Sequence, residues 1–202
     1  MSLSDYIRGL EPRTIIDKSI IQVLMNPLAP PLITTTLNAC YSAVLNYNYR
    51  FAYVPWVEGR LCFGDMNADY DLLSTNFSGC HLARFIDHGI VYGCHIHCSR
   101  GQSNDQRHNW NTFSRTISKE NIKLFQPDVA LLLKYMNASK FQNDENKYYD
   151  LWGIITPSGK CISVVVRTSI DFIRTSYHRA FQDDVEFIEK NECWHMNTKY
   201  IK

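Results

Sequence analysis

The stretch from Phe77 to Cys98 constrains this chain most, because two apolar-rich runs, Leu82 to Ile86 and Ile90 to Tyr92, flank Asp87-His88-Gly89. Residues of those three types tolerate the positive φ of a tight turn, so the segment predicts a β-hairpin. A two-residue loop at Asp87-His88 puts Cys80 opposite His95, and one at His88-Gly89 puts it opposite His97. In both registers the two imidazoles and the thiol share a face. A three-residue loop separates them unless a bulge restores the parity.

A thiol attacks as thiolate, so a cysteine facing an imidazole is a nucleophile beside the base that takes its proton. Gly79 lets the backbone turn just before Cys80 and lets a carbonyl approach the Cys80 amide, a candidate oxyanion donor. A third group orients the imidazole in such sites, and Ser74 and Thr75 lie just upstream.

Ser78-Gly79-Cys80, with Ser74 before it and His95 on the returning strand, resembles the cysteine-dependent glutamine deamidases: the catalytic domains of cytotoxic necrotizing factors, the Burkholderia lethal factor and the chemoreceptor deamidases. The resemblance covers about residues 74 to 97. It implies hydrolysis of a glutamine side-chain amide in a target protein, with Cys80 as nucleophile, His95 as general base and Ser74 as orienting hydroxyl. Some members use threonine or a backbone carbonyl in the third role, which leaves Ser74, Thr75 or neither. His97 is the alternative base.

The 202 residues, 45% of them hydrophobic and 13% aromatic, suffice for a sizeable core, and the chain reads as a single catalytic domain spanning 1–202. Charge is balanced at 21 basic against 20 acidic residues, which removes the general attraction nucleic-acid binding needs, and no basic run suits a membrane surface. The start, Met1 to Arg8, lacks the apolar core of a secretory signal. Synthesis in the cytoplasm follows, with export into a host or competitor cell without a cleaved signal peptide left open by the toxin and effector resemblance. Seven irregularly spaced cysteines suit reduced thiols.

Ile16, Ile20, Val23 and Leu24 recur at helical spacing, and Pro30-Pro31 opens a second predicted helix with Ile33, Leu37, Cys40, Tyr41 and Val44 on one face. From Asn46 the period becomes two, predicting a strand through Tyr53, with Val57 to Phe63 as its partner. Asp65 to Asp71 carries alternating oxygen ligands but has Tyr70 where a calcium loop needs glycine, so it reads as a solvated loop. Ser99 to Asn109 reads as a surface loop at the mouth of the site, and Trp110 as a core anchor. Gln126-Pro127-Asp128 starts a helix with Val129, Leu132, Leu133 and Met136 inward. Tyr148 to Ile155 and Cys161 to Arg167 form a second hairpin, and Asp183-Asp184 caps a last predicted helix through about Cys193.

The fold class is therefore α+β, a mostly antiparallel sheet or β-sandwich flanked by helices, holding Cys80 and His95 in a cleft. The function is a Cys-His amidohydrolase of the glutamine-deamidase kind, acting on a protein substrate that presents a glutamine, without cofactor or metal. A cysteine peptidase or transglutaminase uses the same thioester and is the alternative within enzymes. Outside enzymes the alternatives are an interaction module and a structural zinc protein. The zinc reading draws on Cys94-His95-Ile96-His97-Cys98, where alternation turns Cys94 and Cys98 away from the imidazoles, so that His81 or Cys62 has to complete the set.

Overall fold

A computed structural model describes residues 1–25, 39–40, 44–45, 48–99, 104–138, 147–171 and 180–193. Among them are four α-helices, α1 (Leu3–Gly9), α2 (Lys18–Met25), α3 (Arg107–Ser114) and α4 (Val129–Ala138). The strands are β1 (Ala39–Cys40), β2 (Val44–Leu45), β3 (Phe51–Tyr53), β4 (Leu61–Met66), β5 (Asp71–Ser74), β6 (His81–Asp87), β7 (Ile90–Ile96), β8 (Ile122–Phe125), β9 (Lys147–Ile155), β10 (Cys161–Asp171) and β11 (Ala180–Cys193). They form a five-stranded sheet, β1-β4-β7-β6-β8, and a six-stranded sheet, β11-β10-β9-β5-β3-β2. Among the described strands only the β1/β4 and β3/β5 pairs are parallel. The fold is α+β, two mostly antiparallel sheets with helices packed on them.

Strand alternation sorts the core into layers. Leu72 on β5, Leu82 on β6, Phe125 on β8, Leu151 on β9 and Val165 on β10 meet in one cluster between the sheets, together with Phe77 and Cys80. The opposite face of the six-stranded sheet carries Leu73, Ile154, Ile162 and Val164, covered by Leu3 and Ile7 of α1 and Ile20 of α2. Ala83, Phe85, Cys94 and Ile96 turn to the far side of the five-stranded sheet, where Trp110 of α3 closes the layer. Covering both faces of β10 explains why its sequence is a continuous apolar run rather than an alternating one.

Gly93 sets how closely the sheets approach. A Cβ there would stand 2.3 Å from Leu72 Cδ1 across the interface, so the inward position of β7 must be bare. Gly153 on β9 does the same beside Ser74, its partner across the β5/β9 ladder. A Cβ there would meet Pro127 Cγ at 2.8 Å and Phe77 Cε2 at 3.0 Å.

Four expectations are corrected. Val57 to Phe63 does not partner the strand through Tyr53, since β4 lies in the other sheet between β1 and β7 while β3 pairs β2 and β5. The second predicted helix is replaced where it can be seen by the short strands at 39–40 and 44–45, while 26–38, 41–43 and 46–47 lie outside the described residues. The last predicted helix is β11, paired with β10 along almost its whole length. Val185 and Phe187 are buried at period two, and the open edge of β10 outweighs the helical preference of the charged residues between and after them. On α4 the inner face is Leu131 and Leu132 with Val129 and Tyr135. Leu133 and Met136 stand outward, 46% and 51% exposed. Asp128 starts that helix as the sequence implies, its Oδ1 accepting from the Ala130 amide at 3.0 Å. One element the pattern left unread, α1, is capped by Ser2, which accepts from the Asp5 amide.

Candidate active site

The hairpin β6-β7 pairs Asp87 with Ile90, so its loop is His88-Gly89. Their φ values of 48° and 80° are those of a type I′ turn, whose twist matches the flanking strands. This settles the register. Leu82 lies opposite His95, and one further step along the ladder puts Cys80 opposite His97. Cys80 and His95 are then diagonal neighbours on the face between the sheets, a relation that puts Cβ atoms roughly 7 Å apart.

Ser74, the last residue of β5, projects inward from the other sheet, and its Oγ lies 2.7 Å from His95 Nδ1. Thr75 turns instead to Tyr53, its Oγ1 3.1 Å from the phenolic oxygen. Of the two hydroxyls upstream of the cysteine, Ser74 reaches the imidazole. Phe77 stacks on the His95 ring at 4.4 Å with an 8° tilt and fixes its plane. With the proton on Nδ1 and given to Ser74, the lone pair of Nε2 is the ring's basic site. Nε2 is buried and has no hydrogen-bond partner among the described residues.

His97 is engaged at both nitrogens. Nδ1 accepts from the Gly59 amide at 3.1 Å, which places the proton on Nε2, 3.1 Å from Ser99 Oγ. Asn104 O, 3.3 Å from Nδ1, is then a contact between acceptors rather than a hydrogen bond. Between the two candidate bases, His95 alone keeps a nitrogen uncommitted.

Cys80 is 2% exposed and His95 1%, so the expected cleft is a closed site. Burial raises the Cys80 thiol above its ordinary value, against hydrogen bonds to the sulfur from the Cys98 amide, the Trp56 indole and the Ser78 amide. Burial also takes the His95 imidazole down to about 3, helped by the neighbouring His97 and His81. At neutral pH the resting pair is therefore an uncharged thiol and an uncharged imidazole, with no hydrogen bond between them. The hydrogen bonds to the sulfur offset its burial only in part, so the thiol stays above its ordinary value.

Trp56 is the residue that sequence reasoning missed. It sits between Pro55 and the Gly59 turn, where no periodicity marks it. An aromatic in a short connection beside two turn residues was the available signal.

A second thiol and imidazole meet nearby. Cys98 Sγ lies 3.4 Å from His81 Nδ1 and 3.4 Å from Ile96 O. Burial holds Cys98 at about 12 and His81 at about 4, so this pair too is uncharged. Cys62, on β4 opposite His95, is buried in the central cluster, while Cys94 faces the outer layer. Among the described residues no three His, Cys, Asp or Glu side chains are placed to hold a metal ion. In the Asp65 to Asp71 stretch, Arg84 donates to Ala68 O and the Asp71 carboxylate accepts from the Ser4 amide at 2.6 Å.

No protein-family model matches the chain, and no curated protein or solved structure is significantly similar to it. Its chemistry has to be argued from these residues. No described helix is long and apolar enough to cross a membrane.

Proposed function

We propose that the chain is a cysteine-dependent amidohydrolase, a protein glutamine deamidase of the toxin or effector kind, with Cys80 as nucleophile, His95 as base and Ser74 as the group that orients it. The observation that carries this reading is the His95 ring, held by Ser74 and Phe77 with Nε2 unpaired, on the same buried face as Cys80. A buried polar atom left without a partner costs free energy, and a reacting thiol is the partner that would use it. The choice of glutamine within amide chemistry rests on the motif resemblance around Ser78-Gly79-Cys80.

In the reaction, Cys80 gives its proton to His95 Nε2 as sulfur bonds to the carboxamide carbon and the C=O electron pair moves to oxygen. The pair returns, the C–N bond breaks, and His95 delivers the proton to the departing amine, which leaves as ammonia. Water then attacks the thioester with His95 accepting its proton, and the sulfur departs to leave glutamate. Since both groups rest uncharged, proton transfer accompanies the attack rather than preceding it. Burial strengthens each of these interactions and demands that part of the packing over Cys80 move aside to admit substrate.

The test is ammonia release together with intact mass of glutamine-bearing candidate proteins, where amide-to-acid conversion adds a small mass. Cys80→Ala should abolish both while leaving the protein folded. A second reading has one observation of its own, the Cys98–His81 contact, with Cys98 the less buried of the two thiols. It predicts the reverse pattern, activity kept by Cys80→Ala and lost by Cys98→Ser.

A further inference from the structure

Gln126 follows β8, whose Phe125 pairs with Leu82, two residues beyond Cys80. Its side chain is exposed and reaches the turn that carries the nucleophile, with Nε2 donating to the Gly79 carbonyl at 3.2 Å. That carbonyl belongs to the peptide group joining Gly79 to Cys80, so its oxygen stands one peptide bond from the proposed nucleophile. Gly79 has φ 141°, a conformation that favours glycine, and the space over its Cα is clear. Apart from its chain neighbours, the one heavy atom among the described residues within 4 Å of where a Cβ would stand is Gln126 Nε2, at 4.0 Å. The backbone around this contact is fixed. The Asn76 N–H donates to Asp150 Oδ1 at 3.0 Å, the Phe77 N–H donates to Leu151 O at 3.3 Å, and Pro127 is buried beside Gly153. The Gln126 carboxamide, on a rotatable stem with one hydrogen bond among the described residues, is the part that can leave.

A chain proposed to hydrolyse glutamine carboxamides thus holds a glutamine carboxamide of its own beside its nucleophile. We propose that the Gly79 carbonyl is the acceptor that recognises the substrate's carboxamide N–H, and that Gln126 is its resident occupant, displaced when substrate enters. The assignment rests on Cys80 being the nucleophile, and its test is built to separate the two. A primary carboxamide offers two N–H donors, whereas a carboxylate offers none and sets its charge against the carbonyl lone pairs. The acceptor therefore holds the glutamine substrate and releases the glutamate product. Exchanging one amide N–H for another is nearly even in free energy. Gln126 keeps the carbonyl satisfied in the resting protein and yields to a substrate that brings further contacts.

The probes are iodoacetamide, a primary carboxamide that alkylates sulfur, and its N,N-dimethyl derivative, which has no N–H. With either reagent the S–C bond forms, iodide leaves with the C–I electron pair and the thiol proton passes to a base. Rates at Cys80 are read by peptide mapping of the full chain, each divided by the same reagent's rate with glutathione. Gln126→Ala and Gln126→Met both empty the acceptor, the second while keeping the length of the side chain. In both variants the ratio of primary to dimethyl rates should exceed that of wild type about three- to tenfold, the worth of one neutral hydrogen bond. An unchanged ratio, with both reagents gaining equally, would make Gln126 a plain cover, and a lower ratio would make it a brace for the turn. Either result overturns the recognition role and leaves Cys80 as nucleophile. Alkylation at Cys80 in none of the three proteins overturns both readings.

Discussion

Ser74 Oγ decides what the His95 ring can do. By taking Nδ1 it leaves Nε2 as the only nitrogen for chemistry, and by its 2.7 Å bond it offsets part of the cost of burying an imidazole. Ser74→Ala leaves both ring nitrogens buried and unpaired, a loss of about 1–3 kcal/mol in denaturant unfolding, with slowed turnover of any glutamine substrate. Two buried histidines also make stability depend on pH. His95 is held at about 3 and His81 at about 4, both below the ordinary histidine value of 6.5. Between those values and 6.5 the unfolded chain binds protons that the folded chain refuses, so stability falls as pH drops below 6.5. The slope is roughly 1 kcal/mol per pH unit for each histidine. Asp71 works oppositely, since burial raises its carboxyl and the folded chain takes up that proton before the unfolded chain does as pH falls. A urea midpoint that declines from pH 6.5 to 5, less so in His95→Asn, is the expected outcome. A flat profile would mean that neither imidazole is held uncharged.

The hairpin was legible because its turn residues and apolar runs agree, and only the length and position of its loop were open. His88 occupies the first I′ position at φ 48°, where a side chain larger than asparagine is strained. His88→Asn should raise stability by up to about 1 kcal/mol without changing the register, as read from thermal unfolding. Gly153 tests the coupling between elements. The methyl of Gly153→Ala would press on Pro127 and on Phe77, the ring stacked on His95. Overpacking there should cost about 1–3 kcal/mol and lower activity by tilting the imidazole. Activity unchanged at lowered stability would show that the Phe77 stack does not set the ring. β11 was misread for a physical reason. Its Glu186, Glu189, Lys190 and Glu192 favour helix locally, and the decisive partner, the edge of β10, is remote in sequence.

At the scale of the whole molecule, two sheets face each other and the site lies in the seam between them. The five-stranded sheet supplies Cys80 and His95 through one hairpin, and the six-stranded sheet supplies Ser74 through β5. The pairing of thiol and imidazoles on one face could be read from alternation. The contact of Ser74 with His95 could not, because it depends on how closely the two sheets approach, which Gly93 and Gly153 set across the interface. The closed site was likewise invisible, since Cys80 is buried in a cluster that draws on Leu72, Phe125, Leu151 and Val165, from strands separate in the chain. The central claim, that Cys80 is the nucleophile served by His95, is tested most directly by mapping the covalent adduct of a diazoketone analogue of glutamine on the folded protein by mass spectrometry. The account predicts a single adduct on the Cys80 sulfur, absent in Cys80→Ala and strongly slowed in His95→Asn. An adduct on Cys98 instead, or one on Cys80 that forms equally fast without the His95 imidazole, would contradict it.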